Sequence, residues 1–593
     1  MRSRQSIFRD LQRLWRHMEA RRRRQVGLLL VLMILVSFAE ILSIGAVLPF
    51  LAVLSSPDKV FQHPAARPMI ETLGLTSADQ LLAPLTILFS VAAIFAGAMR
   101  LLLLWASTRI SYATGADLSL SIYRRTLYQP YAVHIARNSS EVVNGMVGKT
   151  NTVTSIVMQV LNLIGSSIIL AAILVALILV DPGIALAAFG GFGLLYGVIG
   201  RVTHRKLLLD SERIAKESTQ VLKTLQEGLG GIRDVLIYGS QAVYCGAYRN
   251  ADLPLRRALG DNVFVGASPR YIMEALGMVL IATLAFALTR GPEGVANAIP
   301  VLGALALGAQ RLLPALQQAY GAWSTVQGAR ASLSDILQLL DQPLPDYANQ
   351  PPARVLPFSQ QIQLDRIAFR YSADAVYVLQ NVSLRIPKGS RAGFVGATGS
   401  GKSTLLDILM GLLQPTEGTL AIDGQVINSE NQRAWQAHIA HVAQDIFLAD
   451  ATIEENIAFG EPKDQMDHGR VRAAAQRAQI AEFIESLPKR YRETVGERGV
   501  RLSGGQRQRI GIARALYRNA DVIVFDEATS ALDTDTEQAV MQAISHLGED
   551  LTILIIAHRL TTLRSCSEIF RFDDRGRVGK VAYADLSPQA MMR

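Results

Sequence analysis

Two patterns of apolar and polar positions divide this chain. Up to about residue 330, long apolar runs alternate with polar stretches of mixed charge. The runs at 26–55, 81–112, 153–180, 184–202, 263–289 and 295–328 are each near the roughly 20 residues a helix needs to cross a bilayer, so six spanning helices are predicted. Asp181-Pro182-Gly183 and Arg290-Gly291-Pro292-Glu293-Gly294 read as tight external turns, and 56–80 as a longer external loop. The polar stretches 113–150 and 203–262 then fall in the cytoplasm and read as largely helical. Ahead of the first span, Ile7, Phe8, Leu11, Leu14, Trp15 and Met18 recur at helical spacing with arginines between them. That pattern predicts an amphipathic helix within 1–24, lying on the inner membrane face.

After the last span, Pro343, Pro345, Pro351, Pro352 and Pro357 mark a linker over 341–358. Beyond it the period changes. Short β-type runs such as Ile362 to Phe369, Arg391 to Val395, Val522 to Phe525 and Leu551 to Ile556 alternate with helical segments. The expected fold is an all-α membrane domain of six helices over 25–340, followed by an α/β domain over 359–593.

Composition sharpens the membrane reading. Half of the 593 residues are apolar, the mean hydropathy is +0.24, and the excess sits in the first part of the chain. The net charge is +9, and nine arginines against two acids fall in the first 24 residues. Because that basic start abuts an apolar run, it reads as a cytoplasmic, membrane-proximal segment and not as a nucleic-acid surface. The apolar stretch after it spans some 30 residues without a small-residue cleavage site, which argues against a secretory signal. Cys245 and Cys566 both fall in cytoplasmic segments, so neither a disulfide nor a metal site is implied.

The chemistry lies in the second part. Gly396, Ala397, Thr398, Gly399, Ser400, Gly401, Lys402 and Ser403 fit the phosphate-binding pattern G-x-x-x-x-G-K-[ST], with Thr404 following. Glycines let backbone N–H groups approach phosphate oxygens, and the helix opening near Lys402 adds a positive dipole end. Lys402 is expected to neutralise the β- and γ-phosphates of ATP, and Ser403 to bind Mg²⁺. The run Val522-Ile523-Val524-Phe525 ends in Asp526-Glu527. Asp526 is expected to hold the same Mg²⁺ and Glu527 to polarise the attacking water.

Leu502-Ser503-Gly504-Gly505-Gln506 resembles the signature of the ATP-binding cassette family residue for residue. The resemblance implies that this segment caps the γ-phosphate of ATP held by a second copy. It also implies that Tyr371, 25 residues before Gly396, stacks on adenine, and that Gln444 touches Mg²⁺ and the membrane domain. Ser530, Ala531, Leu532 and Asp533 resemble the family's loop that communicates across the dimer, and His558 its γ-phosphate sensor. Thr494-Val495-Gly496-Glu497-Arg498-Gly499 is similar to a stretch found in exporters. Together these imply a half-transporter that works as a homodimer with ATP and Mg²⁺, in a bacterial inner membrane, with its N-terminus and nucleotide-binding domain cytoplasmic.

Charges inside spanning segments are costly and mark function by default. Glu40, Arg100, Arg270, Glu274 and Arg311 lie roughly 22–29 Å below the outer surface, at about 1.5 Å rise per residue. Arg100, Arg270 and Arg311 are candidate ligands for a phosphate-bearing lipid, since the guanidinium fork suits phosphate. The competing reading is that these arginines snorkel or pair with Glu40 and Glu274. The segments around them, Ser37 to Glu40 with Pro49-Phe50, Pro269 to Gly277, and Gln310 to Pro314, resemble the membrane half of lipid-linked oligosaccharide flippases. In keeping with that resemblance, Met69, Ile70, Leu73 and Leu75 fit a short amphipathic helix at the outer interface. The expected substrate is a diphosphate-linked oligosaccharide lipid or a similar anionic lipid. An exporter of lipid A-type lipids, drugs or peptides stays open, as does an ATP-gated channel or a regulatory membrane subunit. No nucleic-acid partner is expected.

Overall fold

The computed structural model describes residues 7–55, 57–62, 67–180, 182–289, 312–351, 354–526, 551–557, 563–573 and 575–586. Its contacts divide the chain into two units, 1–129 with 137–345, and 130–136 with 346–593.

The first unit is helical. Long helices span Ala20–Ser55, Leu82–Leu127, Thr150–Val180, Pro182–Gly230 and Gln241–Thr289, and residues 312–328 are helical as well. Each predicted span coincides with one of these, apart from the part of the last span that lies outside the described residues. Among the described residues, Ala20–Ser43, Ala78–Leu127 and Ser140–Val175 are long and apolar enough to cross a membrane. The helices outrun the spans because the polar stretches between the spans continue the same helices. Leu28, Val31, Leu35, Phe38 and Leu42 leave one side of the first long helix exposed, as lipid-facing residues do.

The predicted N-terminal helix is Ile7–His17. Its apolar residues split between two environments. Leu14 and Met18 are buried against Leu333, Ile336, Leu337 and Leu340, while Phe8 and Trp15 stay exposed. Those four partners recur at i, i+3, i+4 and i+7 on helix Arg330–Leu340, a single apolar face. Between the first two long helices, a helix forms at Arg67–Leu73, and Ile70 and Leu75 pack against Val53, Leu81 and Leu85.

Among the described residues, the second unit contains two sheets. An antiparallel one has the order β2-β1-β4-β5, from β1 (Gln361–Phe369), β2 (Leu379–Pro387), β4 (Glu417–Ile422) and β5 (Gln425–Val426). The other has the order β10-β9-β3-β8-β7-β6, from β3 (Arg391–Val395), β6 (Ile439–Val442), β7 (Val522–Asp526), β8 (Thr552–Ile556), β9 (Glu568–Phe572) and β10 (Val578–Lys580). All its pairs are parallel except β9 with β10. Apart from Asp526 and Thr552 at their ends, β7 and β8 are apolar because both faces are covered. The two-residue period sends Val522, Val524, Leu554 and Ile556 to a core with Leu405 and Leu409. It sends Ile523, Phe525, Ile553 and Ile555 to a second core with Ile510 and Ala513.

Two expected boundaries move. The segment 130–136, expected within the membrane domain, groups with the second unit. Most of the expected linker does too, because it is not purely polar. Tyr347 lies under the Arg433 guanidinium, 4.7 Å from it, and Phe358 is buried against Trp435.

Candidate functional site

β3, β6, β7 and β8 run parallel, so their C-terminal ends share one edge of the sheet. The register places Val442 beside Phe525, Asp526 beside Ile556, and Ile556 beside Phe394. The phosphate-type loop leaves this edge after β3, Gln444 follows β6, and Asp526 closes β7. An open α/β sheet binds ligands at this edge. Topology therefore brings together residues that lie up to 130 positions apart in the chain.

The loop itself is tightly determined. Gly399 and Gly401 have φ of +84° and +97°, in the left-handed region. A Cβ on Gly401 would also meet Leu379 Cδ2 at 2.9 Å and the Val378 carbonyl at 3.1 Å. Helix Lys402–Leu409 starts there, and the first N–H groups of a helix lack intrahelical partners. Lys402 is buried and its Nζ donates to the carbonyls of Gly396 (2.9 Å) and Ala397 (2.8 Å), which holds the ammonium over the loop. Ser400 Oγ is buried with no hydrogen-bond partner among the described residues. A dipole end, an ammonium and an unmet hydroxyl around one glycine-rich loop fit a nucleotide phosphate chain.

Tyr371 is exposed, packs edge-on against Phe369 (centroids 5.0 Å apart), and its hydroxyl lies 3.0 Å from Thr404 Oγ1. Its ring is thus free to stack beside the loop helix. The signature residues lie at the start of helix Gly504–Tyr517. Ser503 caps that helix, accepting from the Gln506 N–H at 3.2 Å while Gln506 Oε1 accepts from the Ser503 N–H at 2.9 Å. The cap fixes a positive helix end flanked by Gly504 and Gly505. Glu527, Ser530 to Asp533 and His558 lie outside the described residues.

Two residues that sequence reasoning did not single out stand near the loop. Burial pushes the Asp407 carboxyl up to about 6, and the charge of Asp526 adds to the effect. Burial likewise raises the Tyr131 hydroxyl, with Asp407 and Tyr371 contributing. An acid five positions after Lys402 was visible in the sequence, but its burial follows from the sheet.

The membrane unit holds the other candidates. Arg100 donates through Nε and Nη2 to the two carboxylate oxygens of Glu40, 60 positions away. Arg270 Nε donates to Glu274 Oε1 at 2.8 Å, one turn along the same helix. The competing expectation of pairing therefore describes both arginines, and neither is an unshared positive charge. Arg311 lies outside the described residues. Glu40 and Arg100 line a cavity of about 400 Å³, and Arg270 one of about 360 Å³. The two cavities share Pro314 and Gln318.

Comparison with known proteins meets this arrangement from both ends. The ABC transporter pattern matches residues 379–530, and the ABC transporter transmembrane-region pattern matches 25–288. The chain belongs to the ABC transporters. ABC transporters couple ATP hydrolysis to transport, using ATP with Mg²⁺. An ATP-dependent lipid A-core flippase of Alkalilimnicola ehrlichii is 31% identical over 396 residues, and the match spans 65% of each chain, just under two thirds. The flippase of that name in Cupriavidus pinatubonensis is 27% identical over 470 residues, 78% of each chain. A beta-(1→2)glucan export ATP-binding/permease protein of Brucella suis is 29% identical, over 79% of this chain and 78% of that one. A solved structure of a bacterial Atm1-family ABC exporter with ATP bound superposes with a TM-score of 0.75 at 27% identity. It covers 95% of this chain and 96% of that one. The all-α membrane domain followed by an α/β nucleotide-binding domain is the architecture of this ABC exporter.

Proposed function

We propose that two copies of this chain form a flippase that carries a phosphate-bearing glycolipid to the outer leaflet of a bacterial inner membrane. The finer reading is a diphosphate-linked oligosaccharide. In this reading ATP binds between the loop of one copy and the Ser503 helix end of the other. Lys402 neutralises phosphate charge, and Ser403, Gln444 and Asp526 hold Mg²⁺. Glu527 orients the attacking water, and His558 senses the γ-phosphate. Tyr371 stacks on adenine, and Ser530 to Asp533 link the two sites. The nucleotide-binding domains and N-termini face the cytoplasm.

The observation that carries the substrate reading is the pair of cavities flanking Gln318, one lined by Glu40 and Arg100 and the other by Arg270. Charged side chains at membrane depth are retained for function. Arg270 remains largely exposed beside Glu274, so its guanidinium still presents N–H donors to an anion. Relatives named for lipid A-core flipping and glucan export support a substrate that joins sugar to an anionic lipid. The first of these names favours a second reading, a lipid A-type substrate.

The test is ATP-driven flipping in proteoliposomes, with a diphosphate-linked lipid glycan and a lipid A-type lipid offered in parallel. The Glu527→Gln variant should keep ATP binding and lose roughly 10²-fold in turnover, the scale of losing a general base. Its flipping should stop with its turnover. Flipping of neither lipid by the wild-type protein would end the glycolipid reading, and unchanged turnover in Glu527→Gln would end the catalytic assignment.

A further inference from the structure

The Glu40–Arg100 cavity lies among helices Ala20–Ser55, Leu82–Leu127, Thr150–Val180 and residues 312–328. Its polar lining is Glu40, Arg100, Ser107, Asn162, Ser166 and Gln318. The two charges cancel, because the Arg100 fork is filled by the Glu40 carboxylate. A carboxylate occupies the same bidentate geometry that a phosphate would need. An incoming phosphate would meet Glu40 as a second anion in an apolar setting, which is unfavourable.

Ser166 points to a different ligand. Buried helical serines usually return the hydroxyl to a carbonyl one turn back. Ser107 does so with Leu104 at 3.1 Å, as does the exposed Ser167 with Leu163 at 2.7 Å. Ser166 is 2% exposed, lines the cavity, and has no hydrogen-bond partner for its Oγ among the described residues. Asn162, one turn before it, donates Nδ2 to Gln159 Oε1 at 3.2 Å, which leaves its carbonyl oxygen available. The lining thus offers a carboxylate that accepts, a guanidinium that donates, and amides and hydroxyls that do both. Met33, Leu103 and Ile169 supply apolar walls.

We infer that this cavity holds the hydroxyl-bearing sugar of the transported lipid and not its phosphate. The inference rests on the glycolipid reading above. Sugar hydroxyls donate and accept at once and carry no charge, so they match a neutral lining of mixed donors and acceptors. A cavity of about 400 Å³ is within the range of small-molecule sites.

The experiment is binding to the homodimer in nanodiscs of three probes. Undecaprenyl diphosphate has no sugar, undecaprenyl diphosphate-N-acetylglucosamine has one, and a lipid A-type lipid has a phosphorylated disaccharide. Ser166→Ala and Asn162→Leu should each weaken a sugar-bearing probe about tenfold, because a polar site discriminates strongly against a missing partner. Both variants should leave the sugar-free probe unchanged. Ser166→Ala removes a hydroxyl with no protein partner among the described residues, so its Tm should equal that of the wild type. Equal weakening of all three probes, or of none, overturns the sugar assignment and leaves the glycolipid reading standing. A lowered Tm with unchanged binding assigns Ser166 to packing and also overturns it. Wild-type protein that binds none of the three refutes the glycolipid reading itself.

Discussion

Gly401 combines two constraints at one atom. Its φ of +97° suits only glycine, and any Cβ would press on Leu379 and the Val378 carbonyl. Gly401→Ala is expected to cost about 1–3 kcal/mol from the backbone alone, and to shift the loop that Lys402 spans. Thermal unfolding with and without ATP checks this. A variant that melts like the wild type and gains as much from ATP would show that the loop tolerates the side chain. At this scale the sequence was informative where chemistry needs a fixed local spacing, as from Gly396 to Ser403. It was silent on which partners meet through the fold. Common depth in the membrane offered Glu40 and Glu274 as partners for the arginines without assigning Glu40 to Arg100, and nothing local to Asp407 shows that β7 will bring Asp526 near it. The unmet hydroxyl of Ser166 was equally hidden, since its neighbour Ser167 makes the ordinary helical bond.

Between elements, the clearest device is the attachment of the N-terminal helix to helix Arg330–Leu340. Arg13 and His17, one turn apart, both hydrogen-bond the Asp341 carboxylate, and buried Asp10 faces Arg330 at 3.7 Å. Burial alone would raise the Asp341 carboxyl, but the bonds from Arg13 and His17 outweigh it and hold the group below its usual range. A lowered acid contributes stability above its unfolded value of 3.8, and that stability is lost as pH falls through the lower folded value. A spin label on Phe8→Cys in a cysteine-free background should therefore be restrained at pH 7 and mobile in strong acid. Asp341→Asn should mobilise it at pH 7. Equal mobility in the two proteins at pH 7 would remove the clamp. The amphipathic period was readable in advance, but not which half faces protein. Leu14 and Met18 found partners on a helix more than 300 positions later, and only that contact separates them from Phe8 and Trp15.

For the whole molecule, the proposed machine is a pair of chains. Each carries one phosphate loop and one signature, and the Ser503 cap fixes a positive helix end at the signature. The sequence made both parts plain, and the α/β sheet shows why Lys402 and Asp526 share an edge. The partner was legible only through the family's signature, because no local pattern says that a helix end serves another copy. The homodimer can be tested by mixing two defects. In a heterodimer of a Lys402→Ala chain and a Ser503→Arg chain, one composite site carries both lesions and the other carries neither. Each homodimer of a single variant carries one lesion in both sites. Tagged, purified heterodimer is thus expected to hydrolyse ATP at least about tenfold faster than either variant homodimer, since lesions within one catalytic unit are not additive. Loss of the Ser503 cap costs about 1 kcal/mol, too little to unfold the domain, so a dead Ser503→Arg homodimer reports on the site. If the loop and signature served one nucleotide within a single chain, every chain in the mixture would carry one lesion. Heterodimer turnover would then stay at the level of the parents, and the composite-site dimer would be wrong.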